Sequence, residues 1–263
     1  MKELKYPLLI LTLVLILLVL LFLKVNNDTA EDFSLNLITE ILGIFITVLL
    51  IDLVIKRKDD REKKKILKNT FAQFKIPAQN LLSFFASIYK ASTDTKPKEW
   101  NTDYKSLLST EQFYDSIKHL DFLKTAPVTP STNWINHSHH QMTGIKNGFE
   151  KIIDKYAFAL DSQIISDLEW LTNNWIINIL SSGPIILASD QSMNHKREYF
   201  CLLAIQNETG IEDNPIKELI DKVFEVAEYF KSITDETSDI HYSDSLWQEN
   251  MSPKLSESRV SVT

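Results

Sequence analysis

The first residues that could do chemistry form a polar row inside an otherwise apolar stretch, residues 35–55. The row consists of Asn36, Glu40, Gly43 and Thr47, at spacings of four, three and four. At about 100° per helical residue, these positions share roughly 60° of one face. A ring of Glu40 carboxylates could line a cation pathway if several copies turned this face inward. The same spacing also fits close helix packing through the small residues, with Glu40 hydrated near the outer interface.

A second candidate for chemistry is the histidine cluster His137, His139 and His140, in which the first and last could share a helix face. A zinc site would need further ligands at fixed spacing, and the sequence has no HExxH or paired Cys/His pattern. Cys201 lies in an apolar piece, which favours a buried small residue over a nucleophile. We therefore expect an exposed polar helix segment at the histidines, and we predict no metal, no cofactor and no enzyme.

Four of the tryptophans could anchor a partner. For Trp134, Trp170 and Trp175 we predict core packing, because each lies in a helical apolar pattern. Trp247 is different, since it follows Leu246 in a polar tail. It is the candidate docking residue.

Two apolar stretches are long enough to cross a bilayer, and the second of them contains the polar row. The first covers residues 6–25, where Leu8 to Leu23 carry no charge and include ten leucines. Twenty helical residues span about 30 Å, the thickness of the hydrocarbon core. A cleaved signal peptide is the rival interpretation, but the residues after Lys24 lack the small-x-small pattern that cleavage favours. The second span is residues 35–55, after a predicted loop from Lys24 to Ser34.

A basic cluster follows the second span and sets the predicted topology. Its members are Lys56, Arg57, Lys58, Arg61, Lys63, Lys64 and Lys65. Because Lys and Arg flank the cytoplasmic side of membrane spans, both termini are predicted to be cytoplasmic and the acidic loop to lie outside. Contact with lipid headgroups is a further role that these cations could serve.

The fold class that follows is all-α: a two-helix transmembrane hairpin (residues 1–55), then a cytoplasmic helical bundle. Between them we predict a basic helical stalk (56–75), and after the helical domain (76–233) an acidic, disordered tail (234–263).

Helices are predicted from a capping box at residues 109–112 to 123, over 133–160 with Thr132 as cap, over 161–180, and from Pro215 to Ile233. Pro77 is predicted to kink or restart its helix. The net charge of −7 argues against nucleic acid as a direct partner.

Two stretches carry a resemblance to a known group. Residues 38–52 followed by Lys56-Arg57-Lys58, and residues 149–156 followed by Leu160-Asp161-Ser162 and Asp167-Leu168, resemble bacterial two-transmembrane anti-phage effectors. The closest likeness is to the membrane effector of a retron defence system. The resemblance implies an inner-membrane protein held silent by a reverse transcriptase–nucleic acid complex until phage infection. The chain has no recognisable nucleotide-binding module, which is a departure from cyclic-nucleotide-gated members.

From these observations we expect a multi-pass inner-membrane effector of abortive-infection defence. It would form a homo-oligomer and damage or permeabilise the membrane when triggered, because two spans in one copy cannot enclose a water channel. The alternative is a non-toxic inner-membrane scaffold, in which the hairpin only anchors a cytoplasmic partner. A third possibility, an enzyme with an unrecognised site, lacks any acid/base pair at informative spacing.

Overall fold

The computed structural model describes residues 28–93, 103–118, 120–201, 214–234 and 240, with five helical positions between 12 and 20. For residues 28–34 only the backbone is described. The described chain is mostly helical, which confirms the all-α expectation. It divides into two compact units, Met1–Lys63 and Lys64–Thr263.

The helices and strands follow in this order along the chain: α1 Asp28–Ser92, α2 Tyr104–Leu108, α3 Glu111–Ile117, β1 Thr125–Ala126, β2 Thr132–Asn133, α4 Trp134–Tyr156, a 3₁₀ turn Ala157–Ala159, α5 Ser162–Asn173, α6 Trp175–Ser181, α7 Gly183–Ser192 and α8 Pro215–Thr234. The two strands pair antiparallel, with Ala126 opposite Thr132.

Helix α1 begins earlier than the sequence pattern suggested. The predicted loop Lys24–Ser34 is wrong from Asp28 onward, because α1 starts there. Its first turns contain Asp28, Glu31 and Asp32, and negative charge stabilises a helix N-terminus by interacting with the exposed N–H groups. Residues 24–27 lie outside the described part of the chain.

Pro77 lies inside α1, and the helix continues through it to Ser92. The predicted restart at this residue is therefore wrong. Pro77 is buried, and a Cβ placed on Gly148 of α4 would come within 2.9 Å of the Pro77 Cβ. Close packing of α4 against α1 at this point stabilises a helix that the missing N–H would weaken.

The core of the second unit is built around the last third of α1. Leu67 is the first buried side chain of this helix, and from Leu81 onward nearly every residue is buried. Phe74 joins three helices, since its ring centroid lies 5.8 Å from that of Phe149 in α4 and 5.7 Å from that of Phe230 in α8. The predicted aromatic core of this region is confirmed.

Several helix ends differ from prediction because side chains compete for backbone groups. The helix predicted to reach residue 123 ends at Ile117. Beyond it the buried Asp121 carboxylate accepts bonds from the Leu123 and Phe200 N–H groups, at 3.0 and 3.2 Å. Such bonds replace the helical pattern locally. Helix α4 is capped by Asn133, whose side chain accepts from the Asn136 N–H, and not by Thr132.

The predicted helix 161–180 is two helices. Asn174 separates α5 from α6, and its side-chain oxygen accepts a bond from the Ile176 N–H at 2.9 Å. An asparagine in this position caps a new helix. The last helix, predicted from Pro215, is confirmed as Pro215–Thr234. It is joined to α5 by Lys222 and Asp167, whose charged atoms are 3.6 Å apart.

Candidate membrane-spanning site

Residues 35–55 of α1 form a helix about 31 Å long at 1.5 Å per residue. No described side chain from Leu35 to Ile66 is buried. Large apolar side chains are exposed on several sides of the helix, among them Leu42, Ile46, Leu50 and Val54, the last two at 57% and 66%. Exposing this much apolar surface to water is unfavourable, so the segment is expected to be covered by lipid or by another chain.

Among the described residues, one helix is long and apolar enough to cross a membrane, and it lies near the N-terminus. In the core helix of a soluble protein most of the apolar side chains are buried, whereas in the most apolar stretch of this helix none is buried. The predicted first span, residues 6–25, lies outside the described residues apart from five helical positions, such as Thr12 and Leu20. The described chain thus supplies one span-length helix, and the two-span hairpin stays a prediction.

The polar row of the second span is present as a face of α1. Asn36, Glu40, Gly43 and Thr47 are all exposed. The Thr47 hydroxyl donates to the Gly43 carbonyl oxygen at 2.8 Å. This bond uses the only hydroxyl proton of Thr47 within its own helix, which leaves lone pairs for other donors. A Cβ placed on Gly43 would meet nothing within 4 Å, so the space beside it is open to another helix.

All seven members of the basic cluster lie in α1 and are exposed. The cluster begins directly after Ile55, where the apolar segment ends. Lys58 lies 3.9 Å from the Glu62 carboxylate, with the two side chains 74% and 65% exposed. A pair this exposed contributes at most about 0.5 kcal/mol. The cluster therefore acts chiefly as a dense positive charge at one end of the apolar segment.

The histidines are less exposed than predicted. His137 is half-buried, with its ring centroid 6.1 Å from that of Phe84 and 5.7 Å from that of Trp134. Burial, together with the nearby His140, lowers the pKa of His137. The Nδ1 of His139 hydrogen-bonds the Ser181 carbonyl oxygen, joining α4 to α6. Only His140 has the exposed position that we predicted for the whole cluster.

Cys201 is buried, which confirms its prediction. Trp134 lies in the core, and the partly buried Trp170 packs against the core, also as predicted. Trp175 is 44% exposed, so its predicted core position is wrong. The reason is the helix break at Asn174, which removes Trp175 from the face that a continuous helix would share with Leu171. Trp247 lies outside the described residues.

The part of the chain that the structure describes holds no group of three His, Cys, Asp or Glu side chains that could bind a metal ion. What α1 does bring together is a polar face and a glycine within a span-length apolar helix, followed at once by positive charge. That is the chemistry of helix association in a membrane.

Comparison with known proteins identifies no relative, because no family model, curated protein or solved structure matches this chain.

Proposed function

We propose that this chain is a membrane effector that associates through residues 35–55 and permeabilises the membrane. The observation that carries the proposal is the exposure of this apolar helix together with its polar row. An ionisable side chain in a span is costly when it faces lipid, so Glu40 favours an arrangement in which copies turn this face toward each other. With the predicted first span, residues 6–25, both termini would be cytoplasmic, since the basic cluster follows the second span.

The setting that we propose is abortive-infection defence in the bacterial inner membrane, with a hairpin completed by residues 6–25. This part rests on the resemblance of residues 38–52 and 149–168 to two-transmembrane effectors. In that setting, a reverse transcriptase–nucleic acid complex would hold the helical domain silent until infection. Neighbouring genes for a reverse transcriptase and a noncoding RNA would support it.

The test is expression of the full chain in bacteria with a potential-sensitive dye. We expect depolarisation before growth stops, and Glu40→Leu should slow it by about an order of magnitude because the carboxylate ring is lost. The matched control is Asp52→Leu, which removes the other acid of this span about 120° away around the helix. Growth arrest without depolarisation, or equal effects of the two variants, would contradict permeabilisation through the polar row.

A scaffold is the second candidate, and the Thr47–Gly43 hydrogen bond favours it. That bond uses the Thr47 proton inside the helix, so this proton is not offered to water or to an ion beside the polar row. In a scaffold the apolar segment only anchors the chain. Replacing residues 1–55 by an unrelated two-span hairpin would then preserve activity, whereas an effector would lose it.

A further inference from the structure

The positive charge of α1 just beyond the apolar segment is concentrated on one side of the helix. Residues 56–63 hold five bases and three acids, all exposed. At about 100° per residue, the bases Arg57, Lys58 and Arg61 share roughly 100° of arc, and Glu62 is the acid beside them. On the opposite side two bases and two acids cancel; these are Lys56, Lys63, Asp59 and Asp60. The net charge of +2 in residues 56–63 therefore lies on the side of Arg57, Lys58 and Arg61, which we call the basic face.

The basic face lies on the same side of α1 as the polar row. Both features belong to the first compact unit, and α1 runs between them without a break. Counted from the centre of the polar row, Lys58 and Arg61 each lie within about 30° around the helix, and Arg57 lies within about 70°. By contrast, Lys56 and Lys63 lie about 170° away. If copies turn their polar rows toward each other, their basic faces meet as well.

Like charges brought together in this way oppose association. Arginine keeps its charge at every pH that a cell reaches, so the repulsion cannot be relieved by loss of a proton. The Glu62 carboxylate, 3.9 Å from Lys58, offsets part of one charge. Arg57 and Arg61 are one helical turn apart, with about 5–6 Å between their Cβ atoms, and two guanidinium groups at this spacing can donate to one phosphate. An anion held between copies would remove the repulsion.

The position of the two arginines along the helix indicates which anion they meet. Arg57 and Arg61 are two and six residues beyond Ile55, so they lie about 3 and 9 Å past the end of the apolar segment. The polar headgroup layer is about 5–8 Å thick on each side of the hydrocarbon core, so the two arginines bracket it. The cytoplasmic leaflet contains anionic lipids, which attract basic segments next to a span. The phosphate within reach is therefore that of a lipid headgroup.

We propose that the basic face binds the phosphate of an anionic phospholipid, and that this lipid is the counter-charge that allows copies to associate through the polar row. The inference rests on the association proposed above and names its lipid partner. A zwitterionic lipid also has a phosphate, but its own cation leaves no net charge to offset that of two arginines. The anionic lipid content of the membrane would then control how readily the chain assembles.

Association of the full chain in vesicles tests the proposal, read by energy transfer between copies that carry a donor or an acceptor fluorophore at the C-terminus. We expect association to be about tenfold stronger with about one-third phosphatidylglycerol than in pure phosphatidylcholine. Arg57→Gln with Arg61→Gln should reduce this difference to about twofold or less. The matched control, Lys56→Gln with Lys63→Gln, removes the same charge from the opposite side and should keep the difference. Equal reductions by both double variants would overturn the proposal, because total charge and not its side would then matter.

Release of a trapped dye from the same vesicles separates this proposal from permeabilisation. Association that requires anionic lipid but releases no dye would support the lipid contact and contradict permeabilisation. Association and dye release that are equal in both kinds of vesicle would overturn the lipid contact and leave permeabilisation standing. Absence of association in both would overturn both proposals. Inorganic phosphate that restores association in phosphatidylcholine vesicles would also overturn the lipid contact, since a free anion would then suffice.

Discussion

Two stretches of α1 carry the same pattern of polar residues and lie in opposite surroundings. In residues 35–55 the polar row follows spacings of four, three and four, and no described side chain is buried. In residues 81–92 three polar positions, Ser83, Ser87 and Lys90, follow spacings of four and three and are half-buried, while a fourth, Ser92, is fully buried. Around them the apolar side chains, such as Leu82 and Phe85, are fully buried.

The difference shows that the position of a polar row on a helix does not by itself predict which side of the helix packs against protein. In residues 81–92 the apolar sides meet the core, so the polar row is the most accessible side. In residues 35–55 the apolar sides have no cover within the described chain, so in a bilayer the polar row is the side that needs a partner. Length separates the two cases, because twenty-one residues can span a bilayer and twelve cannot.

The largest expected effect compares truncation of a side chain in the packed part of α1, just before residues 81–92, with truncation of a side chain in residues 35–55. Phe74→Ala should lower the free energy of unfolding by about 3–5 kcal/mol, because it removes a ring that contacts Phe149 and Phe230. Leu50→Ala should leave it unchanged within about 0.5 kcal/mol, since Leu50 is 57% exposed. Unfolding of the full chain in detergent can be followed by tryptophan fluorescence, to which the buried Trp134 contributes. Similar losses for both variants would show that residues 35–55 are packed in a protein core.

The next effect compares two glycines. A Cβ on Gly183 would come within 2.6 Å of the Ile135 Cγ2, so Gly183→Ala should cost about 1–3 kcal/mol of stability through overpacking. Gly43→Ala should cost the single chain nothing, because no atom lies within 4 Å of the added carbon.

The measurement for Gly43→Ala is oligomer size in detergent, by light scattering. If the polar row packs against a second copy, this variant should shift the protein toward smaller species, because the added methyl separates the helices. An unchanged oligomer would exclude Gly43 from the contact, and an undisturbed Gly183→Ala would contradict the close packing of α7 on α4.

The smallest effect concerns a titratable side chain in the packed region. Because burial lowers the pKa of His137 below its ordinary value of 6.5, protonation favours the unfolded chain. The protein should therefore lose stability as the pH falls through 6.5 toward the lower pKa of the folded state. His137→Phe should make the Tm less dependent on pH in this window, measured in detergent. Because the nearby His140 is the smaller cause of the lowered pKa of His137, His140→Gln should reduce the pH dependence by less, and an equal change in both variants would contradict burial as the main cause.

Local patterns predicted the type of most elements and few of their ends. Pro215 in the first turn predicted α8 correctly, and the spacing of aromatic residues after Ile66 predicted the core stretch of α1. Helical periodicity predicted the wrong helix ends where a polar side chain hydrogen-bonds a backbone N–H group in place of the regular helical pattern. Asn174 could continue a helix or cap a new one, and capping by its side chain turned Trp175 out of the core. Similarly, the buried Asp121 binds the Phe200 N–H, a partner 79 residues away.

Features that depend on length, charge and periodicity could be predicted without any knowledge of the fold. These are the span-length apolar segment, the polar row, the basic cluster that follows it and the helical character of the described chain. Each arises from neighbours within a turn or two of helix, which a sequence shows directly. Tertiary structure alone decided that α1 continues through Pro77, that His137 lies between two aromatic rings, and that α8 ends beside Phe71. Those results depend on contacts between residues far apart in the chain, whose free energies exceed the local preferences they override.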